Sequence, residues 1–185
     1  MPAFRIHAPA PAPDKSRTIL EQARLALGFV PNLYGMMAES PTLLKAYTRL
    51  TAIFDQSTLL PVERQVVLLS VSFENGCDYC MAAHTAIAAL QDVPPPVVAA
   101  VREGRAIPDR KLQALNSFTR KVVERRGWIG DEDLRELLDA GYSRENVLEV
   151  ILGVGLKTMS NYANHLAKTP LDEVFAAHAW TRKAS

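Results

Sequence analysis

The 185-residue chain is short of the features that mark several large classes of protein. It has only two cysteines, too few for a disulfide-built scaffold. No apolar run approaches the roughly 18 residues that a membrane span needs, so no membrane partner is expected. Neither sign of charge dominates: 21 Lys and Arg stand against 20 Asp and Glu, leaving +1 with histidine neutral. That balance gives no electrostatic footing for nucleic acid. Strand-type alternation bounded by turns is missing throughout, which leaves an all-α class. The first residues carry no apolar h-region and do not read as a signal peptide, so a cytoplasmic location is the expectation.

What is present fits one domain. About half of the residues are hydrophobic and about a fifth charged, a normal globular balance. Residues 1–14, with Pro2, Pro9, Pro11 and Pro13, form an expected extended arm ahead of a helical domain at 15–185. Ile19, Leu20, Ala23 and Leu27 mark a helix that Gly28 ends. Residues 28–34 (GFVPNLY) read as a turn. Ser40-Pro41 is a helix start, with an apolar face of Leu43, Leu44, Tyr47, Leu50 and Phe54 behind it. Further helices are expected from Pro61 to about Asn75-Gly76, over 78–90, over 97–102, from Pro108 to about Val123, over 131–140 and over 143–165. Ser143 caps the last of these, with the capping box left incomplete by Asn146. A final piece covers 171–180. Trp128 and Trp180 are read as packing or interface anchors, and His7 and His178 as surface residues.

The two cysteines lie three apart in Asn75-Gly76-Cys77-Asp78-Tyr79-Cys80-Met81-Ala82-Ala83-His84. Gly76 ends one helix, so Cys77 falls at the start of the next, where free N–H groups and the helix dipole favour a thiolate. Cys80 is one turn on and on the same face, which brings the two sulfurs within disulfide reach. His84 follows four residues later on that face. A neutral imidazole there can take the Cys80 proton, and an imidazolium can hold the thiolate. Two thiols and a base on one stripe suit dithiol–disulfide chemistry. Two plainer readings stand beside it. Zinc would need a fourth ligand from His7, His165 or His178, and buried free cysteines are common core residues. No metal or other cofactor is expected. Asn161 and His165, four apart on a late helix, can face the thiols from a neighbouring segment.

Residues 60–84 (LPVERQVVLLSVSFENGCDYCMAAH) resemble the core motif of the carboxymuconolactone decarboxylase-like family, in its alkyl hydroperoxidase D-like, peroxidase-related branch. Residues 28–54 resemble the segment before that core, and residues 161–172 (NYANHLAKTPLD) resemble the same branch. The resemblance implies an alkyl hydroperoxidase D-like helical bundle that assembles as a trimer or hexamer. It implies a peroxidase in which Cys80 attacks a hydroperoxide, Cys77 resolves the sulfenic acid as a disulfide, and His84 serves the proton relay. An external dithiol or protein reductant then reopens the disulfide. The family's relay glutamate, twelve residues before the first cysteine, is Gln65 here, and an amide cannot exchange a proton. Glu63 and Glu74 are the stand-in candidates, though each also reads as an ordinary helix charge. Tyr79 occupies a place where some members carry histidine, and it either lines the pocket, donates a hydrogen bond or packs. Two other functions compete: a lactone decarboxylase-like enzyme, whose members generally lack the cysteine pair, and a non-catalytic oligomeric thiol sensor or scaffold.

Overall fold

The computed structural model describes residues 4–10 and 12–182; residues 1–3 and 11 of the expected arm, and 183–185, lie outside the described residues. Among the described residues the regular structure is entirely helical. Helix α1 (Asp14–Leu27) ends at Gly28, whose φ of 80° returns its N–H to Arg24. Helix α2 (Asn32–Met37) corrects the expected turn at 28–34. Pro31 sits before its first turn at φ −56°, and its carbonyl accepts from the N–H groups of Tyr34 and Gly35. The arm lies against this helix: His7 N–H donates to Gly35 O at 3.0 Å. A Cβ on Gly35 would meet His7 O at 2.8 Å, so a side chain there would push the arm away. His7 is half-buried, not a free surface residue, and its Nε2 pairs with Glu39 at 2.9 Å.

Helix α3 (Pro41–Phe54) starts as expected, with Ser40 Oγ accepting from Leu43 N–H at 3.3 Å. Helix α4 (Pro61–Glu74) opens on Pro61, and α5 (Asp78–Leu90) follows the Gly76 turn. Helix α6 (Pro95–Arg102) begins two residues earlier than expected, because Pro95 and Pro96 occupy first-turn positions that need no N–H. Helix α7 (Arg110–Glu124) begins two residues after Pro108, since Asp109 takes the cap and accepts from Leu112 N–H at 2.9 Å. Then come α8 (Asp131–Asp139) and α9 (Arg144–Ala167). The capping box of α9 is complete after all: Asn146 Oδ1 accepts from Ser143 N–H at 2.9 Å, doing the work of the usual glutamate. The last piece is a 3₁₀ turn (Glu173–His178). Trp180 beyond it packs on Phe73 and donates to Arg102 O at 2.8 Å, whereas Trp128 is exposed. No helix among the described residues is long and apolar enough to cross a membrane.

Helix α4 is the hub. Its residues from Gln65 to Phe73 are all buried, the pattern of a helix enclosed on every side. It packs against α5, α6, α7 and α9. Helix α9 comes closest at Gly153, where a Cβ would lie 2.8 Å from Val67 Cγ1 and 2.9 Å from the Phe54 ring. That contact seats the C-terminal half of α9 over the start of α5.

The two glycines of α9 make an internal comparison. Gly155→Ala adds a methyl into open space and should raise stability by about 0.5–1 kcal/mol through helix propensity. Gly153→Ala should lower it, because overpacking against two core side chains costs about 1–3 kcal/mol and outweighs that gain. Urea midpoints of the two variants moving in the same direction would contradict this packing.

Candidate active site

Cys77 is the N-cap of α5, with extended backbone at φ −92° and ψ 97°. Its sulfur makes no capping hydrogen bond to the helix N–H groups. The dipole argument that favoured Cys77 as the acidic thiol therefore does not decide the matter. Both cysteines are free and each is 1% exposed. The Cys77 thiol hydrogen-bonds to Cys80, and that bond, with burial, pushes the Cys77 thiol well up. Asn164 Nδ2 spans the pair, 3.3 Å from Cys80 Sγ and 3.9 Å from Cys77 Sγ.

Cys80 faces a polar stripe on α9. Lys157, Ser160, Asn161 and Asn164 recur at helical spacing, and all four are buried. Ser160 Oγ lies 3.7 Å from Cys80 Sγ and donates its own proton to Lys157 O at 2.9 Å. Asn161 is fixed by Asn75, whose Nδ2 donates to its Oδ1 at 2.9 Å, and its own amide nitrogen is buried without a hydrogen-bond partner on the sulfur side. Burial alone would raise the Cys80 thiol. The Cys77 hydrogen bond, then the Lys157 charge and the neighbouring Ser160 and Asn161 side chains overcome it and hold Cys80 well below the ordinary thiol value. Lys157 is only 2% exposed. Burial works against its charge, but the Cys80 sulfur, followed by Tyr47 and Cys77, keeps its ammonium protonated.

His84 is half-buried and does not touch Cys80 by a hydrogen bond; its Nδ1 is 3.0 Å from Gln65 Oε1. Gln65 Nε2 donates to Gln91 Oε1 at 3.0 Å, so the Gln65 oxygen is the acceptor and His84 carries its proton on Nδ1. Burial, and then the Lys157 charge, push the imidazole well below its usual range, so the ring is neutral at pH 7. The expected imidazolium supporting the thiolate is thus replaced by the Lys157 ammonium. A cavity of about 120 Å³ is lined by polar Asp55, Gln65, His84, Gln91 and Lys157 and by apolar residues that include Tyr47, Phe54 and Leu68; neither sulfur is among its lining residues.

The other expected site residues lie elsewhere. Glu63 accepts from Leu60 N–H at 2.8 Å and pairs with Lys111 at 3.1 Å, as a first-turn cap on α4. Glu74 pairs with Arg120 and, at 4.0 Å, with Arg182. Neither glutamate can stand in for the relay carboxylate from those positions. His165 is exposed beside Tyr162, off the stripe that faces the sulfurs. Tyr79 donates from its hydroxyl to Asp172 Oδ2 at 2.5 Å and accepts from Leu33 N–H at 3.2 Å, so it anchors the cysteine loop and does not line the cavity. Among the described residues no group of three or more His, Cys, Asp and Glu side chains is arranged to hold a metal ion. Lys157, Ser160 and Asn164 were not singled out from the sequence. Their signal was a polar stripe at spacings of three and four on an otherwise apolar helix.

Residues 41–119 match the carboxymuconolactone decarboxylase family. No curated protein sequence matches the chain. Among solved structures, the chain resembles an alkylhydroperoxidase AhpD core protein, described as an uncharacterized peroxidase-related protein, from Ralstonia eutropha. The TM-score is 0.83 at 23% identity, covering 95% of each chain. An uncharacterized peroxidase-related protein from a Silicibacter species gives 0.80 at 22% identity, over 94% of this chain and 93% of that one. A cysteine-to-alanine variant of the debrominase Bmp8, in complex with 2,3,4-tribromopyrrole, gives 0.78 at 19% identity, over 96% and 95%. At these identities the likeness establishes the helical fold.

The unequal sulfurs make a direct prediction. Limiting iodoacetamide at pH 7 should carboxamidomethylate Cys80 ahead of Cys77, read by peptide mass mapping, because the thiolate is the reacting form. Preferential labelling of Cys77 would reverse the assignment.

Proposed function

On the premise that this chain carries a carboxymuconolactone decarboxylase family segment at residues 41–119 on an alkyl hydroperoxidase D-like fold, we propose that it is a thiol-dependent peroxidase. The observation that carries the reading is the unequal setting of the sulfur pair. Cys80 Sγ lies 3.3 Å from Asn164 Nδ2 and 3.7 Å from Ser160 Oγ on the polar stripe of α9, while Cys77 Sγ is 3.9 Å from the same amide, and these surroundings lower the Cys80 thiol and raise that of Cys77. Nucleophile and resolving group need those two states.

In the proposed cycle the Cys80 thiolate attacks the terminal oxygen of a hydroperoxide. The O–O bond breaks, Cys80 becomes a sulfenic acid, and the leaving alkoxide takes a proton from the cavity side to depart as alcohol. His84 and Lys157 border that side. His84, its single proton engaged at Nδ1 by Gln65, has only a lone pair at Nε2, so the Lys157 ammonium gives the alkoxide its proton and is reprotonated from solvent, with Nε2 as an acceptor on that route. The Cys77 thiol then attacks the sulfenic sulfur, releasing water and forming the disulfide. An external dithiol or protein reductant supplies two electrons, and one proton returns Cys77 to the thiol while Cys80 is restored as thiolate. The cavity holds about four waters' worth of volume, which suits hydrogen peroxide or a short alkyl hydroperoxide.

A halogenated aromatic is the second electrophile this site suits. Bmp8, a debrominase, has the same fold, and a thiolate nucleophile at Cys80 serves either electrophile. Assembly as a homo-oligomer belongs to the same proposal, with the exposed Leu148, Ile151, Tyr162 and Leu166 of α9 available for contacts between copies.

Turnover of tert-butyl hydroperoxide with a dithiol reductant tests the reading. Cys80→Ser should fall to the buffer rate, and Cys77→Ser should give a single turnover that stops at the sulfenic acid. Gln65→Glu should raise the rate by about tenfold or more if a carboxylate relay limits the native chain. Equal peroxide consumption by the native chain and Cys80→Ser would end the peroxidase reading. Bromide release from a bromopyrrole by a chain inert to peroxide would favour the second electrophile.

A further inference from the structure

Lys157 is a buried cation whose partner is not a carboxylate. It is 2% exposed in the middle of α9, and it joins no ion pair with an aspartate or glutamate among the described residues. An isolated ammonium in such a place is strongly disfavoured, and persists only beside an opposite charge. The titratable groups around it are Tyr47 on α3, Asp55 at the end of α3 on the wall of the shared cavity, Cys77 at the N-cap of α5, and Cys80 and His84 on α5; Asp55 makes no ion pair with Lys157. Beyond them Tyr79 is locked as a hydrogen-bond donor to Asp172. His84 is neutral, and Cys77 is the protonated partner of the pair. Cys80, opposite the same stripe of α9 and 3.3 Å from Asn164, is the group placed to carry the counter-charge.

We propose that Lys157 is a positioning residue that stabilises the reduced state of the pair, as the counter-ion of the Cys80 sulfur, and so makes the Cys77–Cys80 disulfide strongly oxidising. The inference rests on the dithiol–disulfide reading above, but not on which electrophile is the substrate. Reduction is the disulfide plus two electrons and one proton, giving the Cys80 thiolate and the Cys77 thiol. In the disulfide the negative charge is gone while the Lys157 ammonium stays buried. Whatever stabilises the thiolate form of a dithiol raises its reduction potential. The site is thus charged to favour electron uptake.

The proton count gives the test. At a fixed ambient potential, set by a redox buffer and read by thiol labelling, the native dithiol-to-disulfide ratio should change tenfold per pH unit between pH 6 and 8. That is a slope of about 30 mV. Lys157→Met keeps the length and burial of the side chain and removes the charge. Both sulfurs then take up protons on reduction, so its ratio should change a hundredfold per unit, a slope of about 59 mV. At pH 7 its disulfide should also be at least tenfold harder to reduce. Lys157→Arg should keep the tenfold dependence. A hundredfold slope in the native chain or in Lys157→Arg, or a tenfold slope in folded Lys157→Met, would overturn the proposal. If Lys157→Met does not fold, the native slope alone decides. A native pair that never forms a disulfide would instead overturn the dithiol reading of the previous subsection.

Discussion

The active arrangement depends on how closely two helices can lie. Helix α9 meets α4 and α3 at Gly153, where a single methyl group would already collide with Val67 and Phe54. Because the backbones approach so far there, the next two turns of α9 are carried over the start of α5. Lys157, Ser160, Asn161 and Asn164 then arrive opposite a sulfur contributed by another helix. Those four side chains are polar and buried, and would be costly in an apolar core. The sulfur pair, Asn75 and the Lys157 carbonyl partner part of this stripe, while Asn161 Nδ2 and Asn164 Oδ1 stay buried without a hydrogen bond. The close contact is therefore what turns a polar stripe from a liability into a binding surface for a thiolate.

Helix boundaries were legible where a local signal is unambiguous. Gly28 ends α1, Ser40-Pro41 opens α3 and Gly76 separates the two helices of the cysteine motif. Local signals misled where proline has two uses. Pro31 and Pro95 start helices and do not merely bound turns, while Pro108 lies ahead of the true cap at Asp109. The pair of thiols and His84 were legible as a stripe, because spacing along one helix is read directly from sequence. The partners from α9 were not, because nothing local states which residue 80 positions away will lie against Cys80. The acidity of the two thiols also came out opposite to the helix-start argument. Tertiary neighbours outweigh a helix terminus whose cap the sulfur does not use.

Replacement of a relay carboxylate by Gln65 does more than delete a base. The amide oxygen fixes one tautomer of His84, while its nitrogen is tied to Gln91. This chain of neutral groups puts no charge beside His84, and the one carboxylate among the cavity's lining residues is Asp55. With glutamine in its place, His84 is oriented by a neutral partner and stays uncharged.

Asp172 ties together parts of the chain that are distant in sequence. Its carboxylate accepts from the Asn32 N–H at 3.0 Å and from the Tyr79 hydroxyl at 2.5 Å. One residue thus links the start of α2, the spacer between the cysteines and the segment that closes the chain. Beyond it, Arg102 donates to His178 O and Ala179 O, and Arg182 donates to Phe73 O and Glu74 O. These closing residues are consequently not a tail but part of one cooperative unit with the cysteine loop. Local unfolding that frees them strands the Tyr79 hydroxyl without its acceptor, so the sulfurs share the opening equilibrium of the C-terminal segment.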